Sequence, residues 1–150
     1  MSNTINTLII DDHPLFRKGV IQLLGMEPDF NVIAEAASGA EGVALALEHN
    51  PDLILLDLNM KGLNGIETLQ LMRDKDIDSR IILLTVSNNP DDLVGAIRAG
   101  SDGYILKDTD PEEMIRLIKE SMLGKNAISA ELSGLLAMAL RQEAVVTNRS

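Results

Sequence analysis

The sequence predicts an open α/β fold, a five-stranded parallel sheet with helices on both faces. Three observations predict it. Short apolar runs alternate with stretches of helical periodicity five times along the chain. The runs are consecutive rather than strictly alternating, as in Leu53 to Leu56, which suits strands covered on both sides. Four of the runs stop at chemically capable residues: Asp11-Asp12, Asp57, Thr85 and Lys107. At 150 residues the chain is the size of one domain with a short appendage.

The elements follow in order. Leu8 to Ile10 is a buried strand, and Pro14 opens a helix whose apolar positions are Phe16, Val20, Leu23 and Leu24. Pro28-Asp29 breaks it, and Asn31 to Ala36 is the second strand. Ser38 caps a second helix with the stripe Val43, Ala44 and Leu47, which Pro51 ends. Leu53 to Leu56 is the third strand, and a loop over Asn59 to Asn64 leads to a helix with Ile66, Leu69 and Met72 on one side. Ile81 to Leu84 is the fourth strand. Pro90 starts a helix that Gly100 ends. Gly103 to Leu106 is the fifth strand. Asp110 and Glu113 form a capping box around Pro111, and Met114, Ile115, Ile118 and Met122 are the buried face of that helix. A sixth helix spans Ser129 to Glu143, with Ile128, Leu132, Leu135, Leu136 and Ala139 on one stripe.

Composition narrows the function. There is no cysteine, so no disulfide framework, zinc ribbon or thiol nucleophile exists. The longest apolar run, Leu135 to Leu140, is far short of the ~20 residues of a membrane span. The first residues lack the basic and apolar regions of a signal peptide, and the chain is expected to be cytoplasmic. A net charge of −10 and only three aromatic residues argue against a nucleic-acid surface. No Walker loop or GxGxxG is present. Residues 1–124 carry 10 basic and 21 acidic side chains, and residues 125–150 carry 3 and 2, which places a boundary near Gly124.

In open α/β sheets ligands bind beyond the carboxyl ends of the strands, at the switch point. In the order 2-1-3-4-5, strands one and three are neighbours there, so Asp11, Asp12 and Asp57 converge. Carboxylates so close raise one another's pKa unless a cation intervenes, and oxygen-only ligands suit Mg2+. A lysine beside an exposed carboxylate and a metal is apparatus for phosphoryl transfer, with an aspartate as nucleophile and a threonine hydroxyl as donor. Taken singly, these residues have ordinary readings as caps, turn residues or surface charges. Their common placement at strand ends is what carries the functional reading. His13 has no second His or Cys near it and reads as a capping or loop residue.

With those residues in place, roughly residues 5–124 resemble the receiver domain of two-component response regulators, which has the flavodoxin-like (CheY-like) fold. The acidic pair is Asp11-Asp12, the phosphoacceptor motif Asp57-Leu58-Asn59-Met60 with Gly65 following, the switch threonine Thr85, the switch aromatic Tyr104, and the lysine Lys107. IIDDHPLFRKGV, DLILLDLNM and DGYILKD are similar to the NarL/FixJ (LuxR-type) subfamily, and LDLNMKGLNG and LTVS to its nitrate/nitrite regulators.

The resemblance implies that Asp57 accepts a phosphoryl group from a sensor histidine kinase. Asp12, Asp57 and the backbone carbonyl of Asn59 would hold Mg2+, with Asp11 acting through water. Lys107 and Thr85 would bind the phosphoryl oxygens. Thr85 would then move and Tyr104 rotate inward, a local charge change biasing a bistable element. Two residues depart from the family pattern. Lys61 stands where many receivers have Pro, freeing the loop backbone and adding charge near the pocket mouth. Asp108 follows Lys107 where many receivers also have Pro.

The expected organisation is a receiver over 1–124 and a linker with an additional helix over 125–150, without the helix-turn-helix DNA-binding domain of relatives. DNA would be reached only through that domain. Either the chain is a fragment of a transcription factor or it is a stand-alone receiver acting through protein contacts. The stripe of Leu132, Leu135 and Leu136 seeks a partner surface, or packs back on its own domain. Homodimer formation on phosphorylation is a further expectation. An enzyme using an aspartyl phosphate is the remaining class. The Asp-x-Asp-x-Thr spacing of dehalogenase-like phosphatases is missing at Asp11-Asp12-His13, so the chain reads as no enzyme.

Overall fold

The computed structural model describes residues 4–125, 127, 128, 132–134, 137, 138 and 141. Its strands are β1 (Ile5–Ile10), β2 (Phe30–Ala36), β3 (Leu53–Asp57), β4 (Arg80–Thr85), β5 (Gly103–Leu106) and β6 (Ala127–Ile128). Between them lie α1 (Pro14–Gly25), α2 (Gly39–His49), α3 (Gly65–Asp74), α4 (Pro90–Arg98) and α5 (Pro111–Met122). Every strand pair is parallel, and the order is β2-β1-β3-β4-β5-β6. The expected order 2-1-3-4-5 is present, with one short strand added.

That sixth strand corrects the placement of Ile128 on a helical stripe: it pairs with Tyr104, and Ala127 pairs with Gly103. The physical reason is the edge of β5, whose backbone groups need partners. Gly103 admits the neighbour closely, since a Cβ there would lie 2.7 Å from the Ala127 carbonyl oxygen. The helix expected over Ser129 to Glu143 falls largely outside the described residues, as do Leu135, Leu136 and Ala139 of its stripe. Leu132 is described, and it is buried in the core cluster that lies against α2, α3 and α4.

Alternation along the strands divides the core. Ile54 and Leu56 of β3 join Leu8, Ile10, Ile81, Leu83 and Tyr104 on one face, against Val43, Leu69, Met72 and Leu93. Leu53 and Leu55 join Ile9, Ile82, Leu84 and Ile105 on the other, against Val20, Leu24, Met114 and Ile118. This is why the strand segments are apolar without a break: both faces are covered.

Two helix details differ from the sequence reading. In α2 the buried positions are Gly39, Gly42, Val43 and Ala46, while Ala44 and Leu47 are exposed. Gly42 brings the helix tight against Ile10, whose side chain occupies the space a Cβ would need, and this rotates the contact face. In α5 the Asp110 side chain makes no cap bond, and Glu113 turns outward to pair with Arg116. The capping box sits instead on α3, where Asn64 accepts from the Glu67 amide at 2.9 Å and Glu67 accepts from the Asn64 amide at 3.0 Å. Ser38 caps α2 as expected, accepting from the Glu41 amide.

The carboxyl ends of β1, β3, β4 and β5 open on one edge of the sheet. Backbone bonds hold the loops there: the Leu58 amide donates to the Leu84 carbonyl at 3.0 Å, and the Lys107 amide to the Thr85 carbonyl at 2.7 Å. Gly65 lets α3 start beneath β3, because a Cβ at that position would meet the Asp57 carbonyl oxygen at 2.5 Å.

Candidate functional site

Asp11 follows the last residue of β1, Asp57 ends β3, Thr85 ends β4 and Lys107 follows β5. Parallel pairing brings them into one pocket. Asp57 is only 1% exposed. Lys107 reaches in from the far side, its Nζ 3.0 Å from Asp11 Oδ2 and 3.1 Å from Asp57 Oδ1. The Asn59 amide donates to the same Asp57 Oδ1 at 3.2 Å. The Lys107 ammonium also lies 4.4 Å from the centre of the Phe16 ring, which steadies a cation that would otherwise be solvated.

Burial and the nearby Asp11 carboxylate push the Asp57 pKa up, and Lys107 and the Asn59 amide draw it back down. The carboxylate is therefore kept from full relief: it is desolvated, beside a like charge, with one cation in contact. Its second oxygen, Oδ2, is buried and accepts no hydrogen bond, and Asp12 Oδ1 shares that condition. Buried acceptors without donors are costly, and two of them facing one space fit a cation with oxygen ligands. Asp11, Asp12, His13 and Asp57 each offer an atom within 4.8 Å of the others.

Asp11 has both oxygens engaged, Oδ1 by the His13 amide at 2.8 Å and Oδ2 by Lys107. Asp12 accepts from the Lys61 amide at 3.1 Å. A proline at 61 has no amide hydrogen to give, so the departure at Lys61 supplies this bond. At Asp108, the other departure, the turn closes through the Thr109 amide to the Leu106 carbonyl at 3.1 Å.

Thr85 lies at the opposite side of Asn59. Its hydroxyl oxygen accepts from Asn59 Nδ2 at 3.3 Å and from the Ser87 amide at 2.9 Å, and the hydroxyl is bonded to the Tyr104 phenol. Tyr104 is fully buried and donates to the Ser87 carbonyl at 3.3 Å. Its ring already stands inward. Ser87 in turn donates to Asp92 on α4 at 2.9 Å. A continuous set of bonds thus leads from the pocket to the first turn of α4.

The structure corrects the reading of His13. It occupies the N-cap position of α1, yet its side chain caps nothing. The imidazole Nδ1 instead lies 3.3 Å from Asp11 Oδ1, 3.1 Å from Asp12 Oδ1 and 3.6 Å from Asp57 Oδ2. Sequence reasoning also missed Phe16 under Lys107, the Asn59 side chain on Thr85, and Arg17, whose guanidinium donates to the Asp11 carbonyl at 2.6 Å. Adjacency of His13 to the acidic pair was the one available signal. The others depend on contacts across the fold.

The model of the response regulator receiver domain matches residues 7–119. The chain belongs to this family. It is 46% identical over 142 residues to the nitrate/nitrite response regulator protein NarL of Escherichia coli (strain K12), an alignment covering 95% of this chain and 66% of that protein. The chain thus spans slightly less than two thirds of that relative. Among solved structures, a LuxR-family two-component response regulator from Aurantimonas sp. SI85-9A1 matches with a TM-score of 0.86 and 32% identity, over 90% of this chain and 96% of that one. The signal receiver domain of NarL from Mycobacterium tuberculosis matches with a TM-score of 0.79 and 31% identity, over 82% and 99%. The chain is a receiver domain of the LuxR-type response regulators. Among the described residues no helix is long and apolar enough to cross a membrane.

Proposed function

We propose that Asp57 accepts a phosphoryl group from the phosphohistidine of a sensor kinase. One carboxylate oxygen of Asp57 forms the new bond to phosphorus while the bond from phosphorus to the donor's imidazole nitrogen breaks, the electron pair leaving with that nitrogen. The observation that carries this reading is the buried Asp57 carboxylate, gripped on Oδ1 by Lys107 and Asn59 and left without a donor on Oδ2.

Asp12, Asp57 and the Asn59 carbonyl would hold Mg2+, with Asp11 acting through water; the orphaned oxygens of Asp12 and Asp57 fit that role. When bound, Mg2+ supplies positive charge that offsets the negative charge gathered at the transferring group. Lys107 neutralises a phosphoryl oxygen from the Asp11 side. Thr85 turns its hydroxyl toward another, giving up its bond to Tyr104. That exchange changes the bonding of Tyr104, Ser87 and Asp92, and so carries the charge change to α4. In this reading the phosphoryl group stays on Asp57 as a signal, and the domain works as a switch.

The similarity to NarL supports a cytoplasmic transcription regulator in which residues 125–150 link the receiver of 1–124 to a helix-turn-helix domain, the segment that would touch DNA. Self-association on phosphorylation is part of the same proposal. Sedimentation with and without a phosphoryl mimic tests it, and a monomer in both states overturns it.

The chemistry is tested by intact-mass spectrometry after incubation with Mg2+ and a small acyl phosphate. One alkali-labile phosphoryl group is expected, lost in Asp57→Asn and without metal. No gain under any condition overturns the reading.

A further inference from the structure

We propose that His13 Nδ1 is a direct ligand of the cation site, so that this receiver favours ions that accept an imidazole, such as Mn2+, over Mg2+. The inference rests on the metal reading above and goes beyond it in donor type.

The carboxylate oxygens divide into two sets. Asp11 Oδ1, Asp11 Oδ2 and Asp57 Oδ1 each have donors from the protein. Asp12 Oδ1 and Asp57 Oδ2 are buried and have none. His13 Nδ1 stands 3.1 Å from the first of these orphaned atoms and 3.6 Å from the second. Adjacent ligands around an ion with bonds of about 2.1 Å are separated by roughly 3 Å. The nitrogen and Asp12 Oδ1 are therefore spaced as neighbouring corners of a coordination shell, and Asp57, nine-tenths buried, offers its free oxygen 3.6 Å from the same nitrogen.

The position of His13 on the chain supports the assignment. The residue is at the N-cap of α1 with extended backbone, φ −99° and ψ 101°, and its side chain makes no cap bond. Nothing in helix capping needs an imidazole there. Pro14 starts the helix directly behind it and keeps the His13 backbone extended. A neutral imidazole nitrogen is a poor ligand for Mg2+, which takes oxygen, and a better one for first-row transition ions.

The test uses the whole chain, loaded with Mn2+ or Mg2+ alone. Pulsed electron paramagnetic resonance of the Mn2+ complex reads imidazole nitrogen directly. Coupling is expected in the wild type and in His49→Ala, which removes the chain's other histidine, and is expected to vanish in His13→Ala. Calorimetric titration of the same proteins should show Mn2+ affinity falling about tenfold in His13→Ala, with Mg2+ affinity changing less than about twofold. The loss of an exposed side chain that caps nothing leaves the fold intact, and circular dichroism checks this. No nitrogen coupling in the wild type, or equal losses for both ions, overturns the proposal. If wild-type Asp57 still labels with Mg2+ and acyl phosphate in that case, only the His13 assignment falls. If neither labelling nor Mn2+ binding occurs, both readings fall together.

Discussion

Lys107 Nζ lies 3.1 Å from Asp57 Oδ1, and it is the cation in direct contact with that buried carboxylate. The same ammonium holds Asp11 at 3.0 Å, so one positive charge separates two carboxylates that would otherwise repel. Lys107→Ala is expected to destabilise the fold by about 3–5 kcal/mol at neutral pH, the usual cost of stranding buried charge. Urea denaturation measures it. Labelling of Asp57 by acyl phosphate should fall with it, and Lys107→Arg should recover stability better than labelling, because the wider guanidinium cannot sit at one point between the two carboxylates.

Asp57→Asn is expected to stabilise the protein at neutral pH. Burial, and then the charge of Asp11, raise the Asp57 pKa above its ordinary 3.8, so the folded state holds a proton there more readily than the unfolded chain. The protonated carboxyl contributes stability in full below 3.8, and that contribution is lost as pH rises through the folded-state pKa. The amide carries no charge and escapes the loss. Urea midpoints of the two proteins should therefore diverge upward from about pH 4, in favour of the variant, and converge below it. A wild type more stable than Asp57→Asn at neutral pH would show that Lys107 outweighs desolvation.

Tyr104 is the chain's one tyrosine, and tryptophan is absent, so near-ultraviolet titration reads this residue alone. Burial, and then the charge of Asp92, raise its pKa above 10.0, while bonds from Thr85 and Ser87 pull the other way. The tyrosinate absorbance should rise with a midpoint above 10.0. Asp92→Asn should move that midpoint down. Phosphorylation of Asp57 should move it as well, since Thr85 leaves Tyr104 in the proposed switch.

Arg73 closes the opposite end of the sheet. Its guanidinium donates to the carbonyls of Ile77 at 2.8 Å, Ser79 at 2.9 Å and Gly100 at 3.0 Å, and to Asp102 at 2.8 Å. A lysine cannot serve four acceptors in that fork. Arg73→Lys is expected to cost roughly 2 kcal/mol in thermal or urea unfolding, with metal-dependent labelling of Asp57 retained because the pocket lies at the other end of the strands.

The layered sheet and the strand-end cluster could be read from the chain alone. Runs such as Leu53 to Leu56 are apolar on both faces, which suits a covered parallel strand, and Asp57, Thr85 and Lys107 mark where the apolar runs stop. Local covalent order determines such features: a strand's ends and faces follow from its own residues. What lay beyond reach depends on which side of a segment another segment meets. The stripe of α2 turned toward Gly42 because Ile10 fills that space, and the capping box formed at Asn64 and Glu67 rather than at Asp110 and Glu113. Ile128 became a strand because β5 left an edge for it. His13 came to face Asp57, Phe16 came to lie under Lys107, and Asn59 came to hold Thr85. Sequence thus determined the fold class and the acidic, threonine and lysine members of the site. Tertiary packing alone decided their partners, because a contact between distant residues is set by how covered faces fit together, and no single segment carries that information.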